Sequence, residues 1–147
     1  MTRKKRQKQL LLLLLALLIF SIAAIFWRRK SYSTEIPPKF RMQHSTIIAP
    51  GRMQLKIWDY SIVDSDVVNI IFNGKPIFKN LLLSDTPVIY KTGFLDKGKY
   101  WIGVEGISEG FVGSASPHIS LSNSKQNFEF NIDAYKDKPA YRLIVVQ

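Results

Sequence analysis

The sequence predicts an all-β domain behind one transmembrane α-helix, and three observations carry that prediction. Residues 10–27 form an apolar run with basic residues on both sides. From Gln54 onward, apolar residues recur at every second position in short blocks, which is the period of a strand with one buried face. Between the blocks stand residues suited to tight turns, Asn73-Gly74 foremost.

The apolar run holds 18 residues, with Ser21 as its one hydroxyl and no charge. As a helix rising about 1.5 Å per residue it covers roughly 27 Å, close to the ~30 Å hydrocarbon core of a bilayer. Trp27 closes the run at the depth of the headgroups, and Arg28, Arg29 and Lys30 follow as a polar stop. Arg3, Lys4, Lys5, Arg6 and Lys8 precede it. Five positive charges before the span against three after it place a tail of residues 1–9 in the cytoplasm and the rest in the periplasm or outside the cell. The competing reading is a signal peptide cleaved after Ser21-Ile22-Ala23. That cut would leave the apolar stub Ala24-Ile25-Phe26-Trp27 on a soluble protein, so a retained anchor fits better. The chain has no cysteine to acylate, which excludes a lipoprotein.

The net charge of +10 invites a nucleic-acid partner, but its placement argues otherwise. Eight of the 21 Lys and Arg flank the apolar run, and all 11 acidic residues lie at Glu35 or later. The remaining 13 basic groups against 11 acidic ones leave a net of about +2, an ordinary domain surface. The excess therefore belongs to membrane topology and anionic headgroups rather than to phosphodiester backbones. The absence of cysteine also removes disulfides, thiol catalysis and Cys-based zinc sites.

Residues 28–50 combine the juxtamembrane basic cluster with Pro37, Pro38 and Pro50 and show no sustained period. They predict a tether reaching up to ~3.1 Å per residue. Residues 51–147 then form one domain, with strand blocks in sequence order. Leu55 and Ile57 make the first, followed by Val68, Ile70 and Phe72. Asn73-Gly74 next joins this block to Pro76-Ile77-Phe78 as a hairpin, since a type I′ turn needs two residues that tolerate positive φ. Further blocks are Tyr100, Ile102 and Val104; Ile119 and Leu121; Phe128, Phe130 and Ile132; and Tyr141, Leu143 and Val145. Breaks fall at Asp96-Lys97-Gly98, Ser108-Glu109-Gly110 and Ser122-Asn123-Ser124. About 7–9 short antiparallel strands with no helical period predict an immunoglobulin-like β-sandwich, with a small barrel as the alternative.

Leu55-Lys56-Ile57-Trp58-Asp59, then Asp64-Ser65-Asp66, then Phe72-Asn73-Gly74 and Leu81-Leu82-Leu83 form a pattern. It resembles a small β-sandwich domain recurrent in secreted and surface proteins of Bacteroidota, over residues 54–122. That family reads as an apolar-Trp-Asp strand, an Asp-Gly-Asp turn and an apolar strand ending in Asn-Gly. Ser65 stands where the family has glycine, and Tyr100 where a later turn has asparagine. The resemblance implies a fold and an envelope location, and no activity.

Among residues that could carry chemistry, Asp59, Asp64 and Asp66 can converge at one loop end and bind Ca²⁺ through carboxylate oxygens. The EF-hand pattern does not apply, because Val68 holds its fifth position and neither the glycine nor the closing glutamate is in place. The alternative is that Asp64 and Asp66 accept hydrogen bonds from backbone amides and shape the turn. Trp58 and Trp101 fall on strand faces opposite the apolar positions, which allows a binding patch or an edge of the core. Ser84-Asp85-Thr86, Lys91-Thr92-Gly93 and Ser122 with Lys125 look like serine acyl-enzyme fragments, but their order is wrong and the chain too short. His44 and His118 lack a third ligand in sequence, and Glu105 with Glu109 read as solvated.

These features predict no catalytic residues and no cofactor, with Ca²⁺ the one candidate ion. The expected function is a membrane-anchored, extracytoplasmic binding or assembly module, with the lipid bilayer and another envelope protein as partners, and no enzymatic activity. The alternative is a calcium-dependent adhesion or carbohydrate-binding module.

Overall fold

The computed structural model describes Leu15 and residues 34–59, 64–111 and 113–147. The predicted anchor, including Trp27, Arg28, Arg29 and Lys30, lies outside the described residues except for Leu15, which is helical. No helix among the described residues is long and apolar enough to cross a membrane.

The domain is a two-sheet β-sandwich. Its strands are β1 (Arg41–Ile48), β2 (Gly51–Trp58), β3 (Val67–Phe72), β4 (Lys75–Leu82), β5 (Val88–Leu95), β6 (Gly98–Ser108), β7 (His118–Ser122), β8 (Asn127–Asn131) and β9 (Ala140–Val146). One sheet has the order β1-β9-β6-β3-β4 and the other β5-β2-β7-β8. All described strand neighbours are antiparallel except β1 and β9, which run parallel. The core between the sheets is built where period-two blocks face inward. Leu55, Ile57, Val68, Ile70, Ile102, Val104, Ile119 and Leu121 are each at most 1 % exposed. Burial of these side chains, at about 25 cal/mol per Å² of apolar surface, drives the assembly of a domain that has no disulfide.

The β3–β4 hairpin forms as its sequence predicts. Asn73 and Gly74 take φ of 48° and 82°, the pair of positive angles that a type I′ turn requires.

Two expectations are corrected. The domain begins before residue 51, because residues 41–48 of the expected tether form β1 and pair in parallel with β9. Ile48 is 2 % exposed, and its carbonyl accepts a bond from Gln147 N at 3.1 Å. β1 escapes the period-two test because it is an edge strand with Ile48 as its one buried residue. The second correction is the phase of β9. Tyr141, Leu143 and Val145 were expected inside, yet Ala140, Ile144 and Val146 join the main core. Arg142 faces inward with them, opposite Ile102. Its Nε donates to Thr46 Oγ1 at 2.6 Å, and its guanidinium lies 4.4 Å from the Phe130 ring centroid. The arginine pairs its charged head at the sandwich rim while its stem packs within. Both faces of β9 are apolar because both are covered.

What covers the outer face of the five-stranded sheet is the segment 34–40. Phe40, Ile71 and Trp101 are buried there as a second cluster, with Ile36 and Tyr141 against it. Trp101 Nε1 donates to the Thr34 carbonyl at 2.9 Å, and Lys39 pairs with Glu105. Burial raises the Glu105 carboxyl, but hydrogen bonds from Lys39 and Asn69 outweigh it and hold the group below its ordinary range. Gly103 makes room for the cluster. A Cβ there would stand 2.6 Å from the Trp101 ring and 2.9 Å from Phe40.

Candidate metal centre

Asp59 directly follows β2, and Asp64 and Asp66 directly precede β3, so the ends of two facing strands bring three carboxylates to one end of the sandwich. All three are buried, at 8 %, 7 % and 4 % exposure. One oxygen from each lies within 4.8 Å of the others. Oxygens bound to one Ca²⁺ at 2.3–2.6 Å can be no further apart than about twice that distance, so the spacing fits a shared ion. Among the described residues no other three His, Cys, Asp or Glu side chains offer ligand atoms this close together.

Backbone contacts hold the cluster in place. Asp59 N donates to the Ser84 carbonyl at 2.7 Å, and the Asp66 carbonyl accepts from Leu83 N at 2.9 Å. Between the paired aspartates Ser65 takes φ of 72°, a left-handed angle that glycine adopts without cost and other residues do not. This is the position at which the resembled family carries glycine. The loop after β6 closes the site from the far side. Phe111 N donates to Asp64 Oδ2 at 3.2 Å. Gly110, at φ 53°, lies so close that a Cβ would stand 2.4 Å from the Asp64 carbonyl oxygen.

The electrostatics demand compensation. Burial pushes the Asp66 carboxyl up to about 6, the negative charge of Asp64 adds to the rise, and the backbone amide of Ser116 opposes it. Asp66 Oδ1 is buried without a hydrogen-bond partner among the described residues. A buried acceptor left in this way costs about 1–3 kcal/mol, and more when charged. A hard cation with oxygen ligands would satisfy it. The donor set is all carboxylate, which suits Ca²⁺ or Mg²⁺ and not Zn²⁺.

Trp58 and Trp101 do not share a surface. Trp101 is 3 % exposed beneath the 34–40 segment on the outer face of the five-stranded sheet. Trp58 is half-buried at the end of β2 in the other sheet, its ring 4.6 Å from that of His118. His118 in turn bonds Asn131 Oδ1 through Nδ1 at 2.6 Å. The roles of Gly110, Phe111 and Ser116 went unread in sequence, since a turn motif after β6 says nothing about which distant loop it will meet. Comparison of the chain with protein-family models, with curated proteins and with solved structures finds no match.

Proposed function

We propose that this chain is a membrane-anchored, extracytoplasmic binding module whose loop end is assembled around a Ca²⁺ ion held by Asp59, Asp64 and Asp66. One observation carries the cation: three buried carboxylates converge within 4.8 Å, and one of their oxygens lacks a hydrogen bond among the described residues. The anchor rests on the apolar run and its basic flanks, and the envelope location on the asymmetry of those flanks and on the resemblance to Bacteroidota surface domains. The immunoglobulin-like reading is supported by the parallel β1–β9 pairing beside an otherwise antiparallel sheet. The module binds rather than transforms, and the ion is structural: it neutralises the loop end and fixes the two strand junctions.

The test is thermal unfolding of the full chain in detergent with Ca²⁺, with Mg²⁺ and with chelator. A ligand at a hundred times its Kd stabilises the folded state by about 2.7 kcal/mol. A rise in Tm with Ca²⁺ that disappears in Asp66→Asn is expected. An unchanged Tm at millimolar Ca²⁺ would remove the cation from the proposal.

A further inference from the structure

The two outer faces of the sandwich are unlike. Segment 34–40 covers the centre of the five-stranded one, burying Trp101. On the four-stranded sheet most outward positions are polar, with Trp58, Ile89 and Phe94 as the exceptions. Its strands supply three cations, Arg52, Lys56 and Lys91, against one carboxylate, Glu129. Arg52 and Lys91 flank a cleft of about 260 Å³ that Gln54, Ser122 and Asn123 also line. A bulge in the β2–β5 pairing lies beside it, between Met53 and Gln54, and bulges of this kind re-aim side chains at functional surfaces.

Across β7 and β8 the side chains are fixed in a network. Ser120 Oγ donates to Asn127 Oδ1 at 2.8 Å, and Asn127 Nδ2 to Glu129 Oε1 at 3.0 Å. His118, with Nε2 3.5 Å from Glu129 Oε2 and its ring against Trp58, joins the network to the far end of the face. Trp58 lies six residues along β2 from Arg52, about 20 Å at strand rise. The face is thus long, rich in fixed donors and acceptors, net positive, and ends in an indole. Ile89 and Phe94, each more than half exposed, are its apolar exceptions, and both stand on the edge strand β5, so the face lacks the central apolar patch that forms the core of a protein interface.

We infer that the outer face of the four-stranded sheet binds an extended anionic glycan, one that carries carboxylate or sulfate groups on a chain of pyranose rings. The charged groups meet Arg52, Lys56 and Lys91, a ring C–H face stacks on Trp58, and the fixed amides and hydroxyls bond the ring hydroxyls. This names a ligand class for the proposed binding module. It uses none of the three aspartates, so the two fail separately.

The experiment is calorimetric titration of the full chain in detergent with heparin-derived and hyaluronan hexasaccharides. Parallel arms use methyl-esterified hyaluronan hexasaccharide, a thymidine octanucleotide and inorganic sulfate. At least one charged hexasaccharide should bind, and the Lys56→Ala/Lys91→Ala double variant should weaken it about tenfold or more. Trp58→Ala should also weaken it, and Trp58→Phe should retain most of the affinity. Unchanged melting and an unchanged Ca²⁺ response would show these variants to be folded. Binding by neither charged hexasaccharide overturns the inference. So does equal binding of the ester, the oligonucleotide or sulfate alone, or full affinity in the double lysine variant.

Discussion

Asp66 is where the physical cost of the fold concentrates. Its folded pKa of about 6 lies above the ordinary value of 3.8, so the folded state holds the proton more tightly than the unfolded one. Between about pH 4 and pH 6 the ion-free domain therefore loses stability as pH rises. Ca²⁺ binding needs the deprotonated form and releases that proton, so the ion should remove the fall. Melting curves from pH 4 to 7 with chelator and with Ca²⁺ check both signs, and a chelated Tm that climbs over this range contradicts the account. Asp66→Asn should raise the chelated Tm at pH 7 and abolish the response to Ca²⁺. Ser65 makes a second test at this site. Its φ of 72° is costly for a branched side chain, so Ser65→Val should destabilise by about 1–2 kcal/mol while Ser65→Gly should not. Equal denaturation midpoints for the two variants would exclude strain at this residue. The aspartates were legible as a candidate site because all three fall between two strand blocks, at one loop end. Gly110 and Phe111, which fasten Asp64, belong to a loop some 45 positions away in sequence, and nothing local marks that meeting.

At the scale of elements, the period-two test succeeds where one face of a strand is buried and fails where both or neither are. β2 and β8 read correctly for the first reason; β3 and β6 also bury Ile71 and Trp101 on their outer face, but Asn69, Lys99 and Glu105 break the apolar run there and keep the phase readable. β9 packs Ile144 inside and Tyr141 outside against Trp101, so its pattern carries no phase. β1 has almost no buried face and so gave no signal. Segment 34–40 with β1 is nonetheless part of the domain, since it buries Phe40 and Trp101 and completes the parallel edge beside β9. Residues 51–147 alone should then unfold at markedly lower denaturant than residues 33–147, with exposed apolar surface detectable by dye binding. Equal midpoints for the two fragments would show the segment to be dispensable. Trp101→Ala should cost about 3–5 kcal/mol, measured by denaturant unfolding, although the residue lies outside the main core. A loss below about 1 kcal/mol would mean that the outer cluster contributes little.

The sandwich has one outer face covered by its own N-terminal segment and one left open and mostly polar, with the carboxylate cluster at an end. The proposed topology has a direct test, because the chain contains no cysteine. A single cysteine at Ser124, an exposed turn between β7 and β8, should react with a membrane-impermeant maleimide on intact cells whose outer barrier is permeabilised. One at Gln7 should react only after the inner membrane is opened. The reverse pattern would invert the orientation.

What the sequence by itself determined is local: the strand period, the Asn73-Gly74 turn, and three aspartates within eight positions of one another. These follow from rules that act within a few residues, where side-chain alternation and the cost of positive φ are decided. Only the tertiary structure decided that residues 34–48 belong to the domain, that β9 turns Arg142 inward, and that Trp58 and Trp101 stand on opposite sheets. It also decided that the loop beyond β6 meets Asp64. Each of these depends on which surfaces meet. Burial is a property of the assembled pair of sheets and cannot be read from either strand alone.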